Sequence, residues 1–317
     1  MSDKVLVIGA GLGGLLCARI LSRKGLKVTV IEASDNPGGL LWPFDWDGIP
    51  CERGFHSVGG LNPGEPLEIL FRKLDLMDLP WYKADLDDGF PFLRLNARTP
   101  FEVDHIVKPF LSGVWRIEGG GKTLALALAK GLDVRYGCKV SSIENQVVRC
   151  DNGQEFKGDI VISSLHPVAT VDLVKDHIRP IYGNRLKRME NGPDFFLVHC
   201  LMEPGCVPWQ SGAIFLEDSL MIHFGEPETN VLDLLCFGDG NPSEMIERAT
   251  VRLPGLKIVR YCTQTAPGYG IIKNSNADFI APQTPLPWLF LTGQNLGLHG
   301  ILGTTVSAFN TCKTLTI

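Results

Sequence analysis

Residues 5–8 form an unbroken apolar run that ends at glycine, the pattern of a parallel strand covered on both faces. A mixed segment with small and apolar residues then runs to Gly25, which has the position of a helix stop, and residues 27–31 repeat the buried-strand pattern. Residues 41–46 and 49–52 flank Asp47-Gly48, a hairpin turn signal. Leu67, Leu70, Phe71 and Leu74 space an amphipathic helix over residues 65–76, with Pro66 suited to its first turn. A glycine turn opens a predicted helix over residues 122–130, closed by Gly131. Alternation at Val134, Tyr136, Cys138 and Val140 predicts a strand over residues 133–140. Asp151-Asn152-Gly153 turns a ribbon, and residues 159–163 read as another buried strand. Further strands are expected near residues 195–202, 213–216, 231–237 and 287–292. Helices are expected near residues 242–249 and at the end of the 293–303 glycine string, the last with Leu302, Val306 and Phe309 on one face.

Gly9-Ala10-Gly11-Leu12-Gly13-Gly14 joins the first strand to the first helix with glycines at the positions of G-x-G-x-x-G. The first allows a tight turn, the second lets backbone approach a pyrophosphate, and the third lets helix pack on strand. The helix start points free N–H groups and its positive dipole end at the phosphates. Glu32 ends the second strand, where a ribose-binding carboxylate belongs; its charge disfavours the extra phosphate of NADP. NAD and FAD both fit this fingerprint. The C-terminal string 293–303, Gly-Gln-Asn-Leu-Gly-Leu-His-Gly-Ile-Leu-Gly, again joins a strand to a helix start and suits an electron-rich ligand.

Composition narrows the field. Thirty basic and 35 acidic residues among 317 give a net charge of -5, without the basic patch of a nucleic-acid binder. Hydrophobic residues at 44% and charged residues at 21% describe a globular chain. The apolar stretch at residues 5–21 is broken by Gly9, Gly11, Gly13, Gly14 and Arg19, so neither a signal peptide nor a transmembrane segment is expected. Nine scattered cysteines without a C-x-x-C pair predict reduced thiols in a cytoplasmic protein, and no metal site is expected. Asp85, Asp87 and Asp88 lack calcium-loop spacing. Gly121-Lys122-Thr123 fails as a P-loop because Arg116 stands where its first glycine belongs. No G-x-S-x-G, H-E-x-x-H or second G-x-G-x-x-G occurs.

Pro37-Gly38-Gly39, directly after the ribose acid, resembles the second motif of the FAD-dependent amine oxidase and phytoene desaturase superfamily. Leu40 stands where members often carry arginine. The segment 54–60 around His56, and Leu-Phe-Leu-Thr-Gly-Gln-Asn-Leu-Gly-Leu-His-Gly-Ile-Leu-Gly over residues 289–303, are similar to the phytoene desaturase, carotene isomerase and retinol saturase branch. Gln294 replaces the acid common after the first glycine.

The resemblance implies FAD as cofactor and an α/β fold: a Rossmann-like FAD-binding domain, with parallel sheet, helices and a β ribbon, plus a small α+β substrate domain. The expected FAD domain is discontinuous (1–60, 111–169 and 262–317), leaving 61–110 and 170–261 for a reduced substrate or cap domain. The implied cofactor contacts are Gly9, Gly11, Gly14, Glu32, Gly38, Gly39, Leu40, Val140, Gly293, Gln294, Gly300, Ile301 and Leu302. His56 and His299 are the candidate catalytic side chains, as proton donors or acceptors. The implied activity is hydride transfer between flavin N5 and a small apolar substrate, polyene or isoprenoid in kind. A redox-neutral isomerase or mutase and a non-catalytic FAD-binding accessory protein are the alternatives. No nucleic acid is expected as partner; peripheral membrane contact and oligomeric state stay open.

Overall fold

Val5, Leu6, Val7 and Ile8 are buried, as an apolar run without alternation requires of a central strand. This computed structural model describes residues 4–54, 56–85, 114–174, 178–216, 220–268, 270–272 and 279–315. Phe55, Asp87, Asp88 and most of the expected insertion beyond residue 85 lie outside the described residues. The chain divides into two compact units, Met1–Gly39 with Leu124–Asn191 and Tyr269–Ile317, and Leu40–Thr123 with Gly192–Gly268.

The first unit carries a five-stranded parallel sheet. Its order is Leu289–Leu291, Ile160–Ser163, Lys4–Ile8, Lys27–Ile31, Asp133–Arg135. Helices Leu12–Arg23 and Gly300–Thr314 pack together. Small residues permit that approach: a Cβ on Gly13 would lie 3.2 Å from Gly293 Cα and 3.3 Å from Thr304 Cγ2. The Cys17 thiol donates to Thr292 Oγ1 in the same core. An antiparallel ribbon of Val140–Glu144, Val147–Cys150 and Glu155–Lys157 completes the unit. The single strand expected over 133–140 is two: Gly137, with φ +63°, turns the chain, and Cys138 N–H donates to the Glu32 carbonyl at 2.8 Å.

The second unit is built on an antiparallel sheet ordered Ala213–Leu216, Leu220–Phe224, Val231–Phe237, Phe195–Met202, Ile258–Ala266. Alternation sorts its faces. Val198, Cys200, Ile222, Phe224, Leu232 and Leu234 form one core with Met245 and Ala249 of helix Pro242–Arg252 and with its C-cap Leu253. Leu197, Leu235 and Ala266, with Leu40, Phe195 and Met221, form another. The hairpin Phe44–Trp46 and Ile49–Cys51 belongs here; Arg260 pairs with Asp47 at 2.6 Å. The unit boundary therefore falls at Gly39 and Leu40, earlier than the expected residue 60. The helix expected over 65–76 spans Pro66–Arg72, followed by a short helical turn, Leu76–Asp78. Among the described residues, no helix is long and apolar enough to cross a membrane.

Candidate functional site

The G-x-G-x-x-G turn sits between the end of Lys4–Ile8 and the start of Leu12–Arg23. A Cβ on Gly14 would strike the Gly9 carbonyl oxygen, so the third glycine is required by packing. Gly11 is different. A Cβ there meets no protein atom within 4 Å, and its φ of -67° suits any residue. The space beside Gly11 is therefore open for a ligand to approach the main chain.

Three further segments meet this turn. Gly38 N–H donates to the Ala10 carbonyl at 2.7 Å, and Gly38 bridges Gly11 in parallel. A Cβ on Gly39 would come within 3.3 Å of Gly11 Cα. Glu32 Oε2 accepts from Ala10 N–H at 2.6 Å, while Oε1 accepts from Ser34 N–H and Oγ, both at 2.8 Å. A carboxylate offers about four lone-pair sites, so Oε2 keeps capacity for a hydroxyl donor. On the far side, Gly293 N–H donates to Ser307 Oγ at 3.1 Å, and Gly13 packs on Gly293.

Both helix starts fit an anionic ligand. Leu12–Arg23 and Gly300–Thr314 have no side-chain cap bond and no acid in the first turn. By contrast, Asn241 caps Pro242–Arg252 through Ser243 and Glu244 N–H groups. Uncapped N–H groups with the positive end of the helix dipole are what a diphosphate or an electron-rich ring fits. Gln294, Ile301 and Leu302 are partly buried along this C-terminal segment, with His299 at the N-cap and Gly300 at φ +69°. Val140 begins the ribbon, two residues beyond the Cys138 that bonds Glu32.

The fold thus brings Gly9, Gly11, Gly14, Glu32, Gly38, Gly39, Val140, Gly293, Gln294, His299, Gly300, Ile301 and Leu302 into one unit. Leu40 and His56 belong to the other. Leu40 packs with the Leu197, Leu235 and Ala266 core.

His56 joins a buried polar cluster that no motif signalled. Asp233 on Val231–Phe237 is in register with His223 on one side and His199 on the other. Asp233 Oδ1 lies 2.6 Å from His199 Nδ1, and Oδ2 lies 3.9 Å from His56 Nε2. The His56 and His223 rings meet edge to face at 5.0 Å. Burial pushes His56 down to about 4 against the opposing pull of Asp233, and burial with the charges of His56 and Arg116 holds His223 well below the usual range. In the same unit Glu52 accepts from Gly121 N–H at 3.1 Å, and burial raises its carboxyl to about 8. A single polar residue inside an apolar strand, as in Phe-Phe-Leu-Val-His-Cys-Leu-Met, was the available signal.

Comparisons with known proteins agree with this geometry. Residues 7–74 match the family model of the NAD(P)-binding Rossmann-like domain, and residues 80–181 that of the flavin containing amine oxidoreductase. The all-trans-retinol 13,14-reductase of Homo sapiens is 29% identical over 113 residues, covering 35% of this chain and 18% of that protein. The lysine-specific histone demethylase 1 homolog 2 of Oryza sativa subsp. japonica is 36% identical over 229 residues, 61% of this chain and 29% of that protein. The chain thus spans less than a third of the length of these relatives. An oxidoreductase from Methanosarcina mazei superposes with TM-score 0.72 at 17% identity, over 98% of this chain and 100% of that chain. A CLA-producing fatty acid isomerase from P. acnes gives TM-score 0.72 at 12% identity, over 99% of each chain.

Fold and cradle together define an α/β unit of the Rossmann-like, dinucleotide-binding class. Through these partial matches the chain resembles the FAD-dependent amine oxidase and desaturase superfamily, and the likeness supports FAD as its cofactor.

Proposed function

We propose that the protein is an oxidoreductase that moves a hydride between flavin N5 and an apolar substrate of polyene or isoprenoid kind. The observation that carries this reading is the open space at Gly11, bordered by the Gly38 turn and by helix starts without side-chain caps. FAD supplies hydride exchange at N5 when bound.

The chain's residues do the holding and the proton handling. Gly9, Gly11 and Gly14 present main chain to the diphosphate, and Glu32 Oε2 accepts a ribose hydroxyl. Val140 would meet the adenine through its main chain, and Gly38, Gly39, Gly293 and Gln294 would hold the ribityl side. The start of Gly300–Thr314 favours negative charge at the pyrimidine end, through Gly300, Ile301 and Leu302. For a carbon–carbon double bond, the hydride goes to one carbon and a proton to the other. His299, within the cradle segment, is the side chain assigned to that proton.

An apolar substrate is favoured by the likeness to retinol reductases. The test is anaerobic mixing of the reduced holoprotein with all-trans-retinol or phytoene as probes. The expected result is return of the oxidised flavin band with a product that has gained one pair of hydrogens. An isomerised product of unchanged mass without net flavin oxidation, or no reaction with either probe, overturns the reading.

A further inference from the structure

The second unit holds a buried polar arrangement apart from the glycine cradle. Strand alternation places His223, Asp233 and His199 on the sheet face opposite the Pro242–Arg252 helix, in one row across three adjacent strands. His56, from the loop after the Ile49–Cys51 strand, closes over the row. Donor atoms of His56, His223 and Asp233 lie within 4.8 Å of one another. All are buried, at 8%, 1% and 0% exposure. His56 Nε2, both ring nitrogens of His223 and Asp233 Oδ2 have no hydrogen-bond partner. Buried polar atoms ordinarily find partners, and here several orphaned ones converge on one point.

We infer that His56, His223 and Asp233 bind a divalent transition-metal ion of the zinc class. Two imidazole nitrogens with one carboxylate oxygen suit Zn²⁺, Fe²⁺ or Ni²⁺ and not the all-oxygen shells of Ca²⁺ or Mg²⁺. His199 supports the set without joining it. Its Nδ1, 2.6 Å from Asp233 Oδ1, fixes the carboxylate and leaves Oδ2 facing His56. Among the described residues no fourth histidine, cysteine or acid completes the set, so one coordination position is open to water or a ligand. No metal ligands are expected from the sequence; the proposed ones come from segments far apart in the chain, His223 and Asp233 joined by strand register and His56 brought in by its loop.

The test uses full-length holoprotein, stripped with a chelator, dialysed against Zn²⁺ or Co²⁺ and then freed of unbound metal. Mass spectrometry of bound metal is expected to give a metal-to-protein ratio near unity, and Co²⁺ to show ligand-field bands of low coordination number. H56A and H223A are expected to lose retention of metal, with circular dichroism and flavin content unchanged. H199A, which removes only the support, is expected to weaken binding by about ten- to a hundredfold. If H223A does not fold, H56A decides, because His56 lies outside the sheet. Absence of uptake by the wild-type protein, the sign of a cluster that holds only a proton, overturns the inference. Equal uptake by H56A overturns it too. Retention of flavin throughout keeps this outcome separate from failure of the FAD assignment.

Discussion

Glu32 Oε2 accepts the main-chain N–H of Ala10 at 2.6 Å, tying the end of the second strand to the middle of the glycine turn. The acid therefore holds the glycine turn in shape. E32A leaves the buried Ala10 N–H without its acceptor, which costs about 1–3 kcal/mol. The expected result is a lower denaturation midpoint together with FAD affinity reduced at least about tenfold, read by flavin fluorescence. E32Q keeps an acceptor and is expected to recover most of the stability but not the affinity.

The glycines at 11 and 14 separate ligand space from packing space. G11A places a methyl where no protein atom lies within 4 Å. It is expected to melt within about 1 kcal/mol of the wild type, the range of changes outside packed sites, yet to lose FAD at least about tenfold. G14A drives its methyl into the Gly9 carbonyl and is expected to lose stability and cofactor together, by about 1–3 kcal/mol or more. Equal FAD affinity in G11A and wild type would mean that the open side of the turn is not where the diphosphate lies.

Glu52 gives a pH dependence with a defined sign. Its folded-state carboxyl titrates near 8, against an ordinary 4.5. The protonated form favours the fold, so its contribution is complete below about 4.5 and fades as pH rises through about 8. E52Q retains an acceptor for Gly121 N–H and has no proton to lose. Its stability relative to wild type is expected to climb between pH 5 and 8, by up to roughly 4 kcal/mol. Urea unfolding at intervals across that range checks it; a flat difference contradicts the raised carboxyl.

Asn241 provides a contrast between stability and binding. Its side chain accepts from Ser243 N–H at 3.0 Å and Glu244 N–H at 3.4 Å. N241A is expected to cost about 1 kcal/mol of stability with FAD affinity unchanged. A fall in affinity equal to that of G11A would show that FAD binding simply tracks global stability.

The first unit was legible because its chemistry is local. Gly9, Gly11 and Gly14 sit at fixed offsets in one turn, and a strand ending in Glu32 follows at the spacing a ribose contact needs. The C-terminal cradle showed the same strand, glycine and helix order. Strands Phe195–Met202, Ala213–Leu216 and Val231–Phe237 were also visible as apolar runs. Leu220–Phe224 escaped because five residues that include His223 carry too little periodicity. The histidine and aspartate cluster escaped for a different reason. Pairing of His223 with Asp233, and of Asp233 with His199, is a matter of register between strands, which no single strand encodes.

The central claim is that the first unit holds FAD, and a titration tests it most directly. Protein freed of flavin is mixed with increasing FAD, passed through a desalting column, and its visible spectrum recorded, with G11A treated in parallel. The account predicts a retained flavin band that saturates at equimolar FAD for wild type and a much weaker one for G11A. A wild-type protein that emerges without a flavin band at every ratio would contradict it.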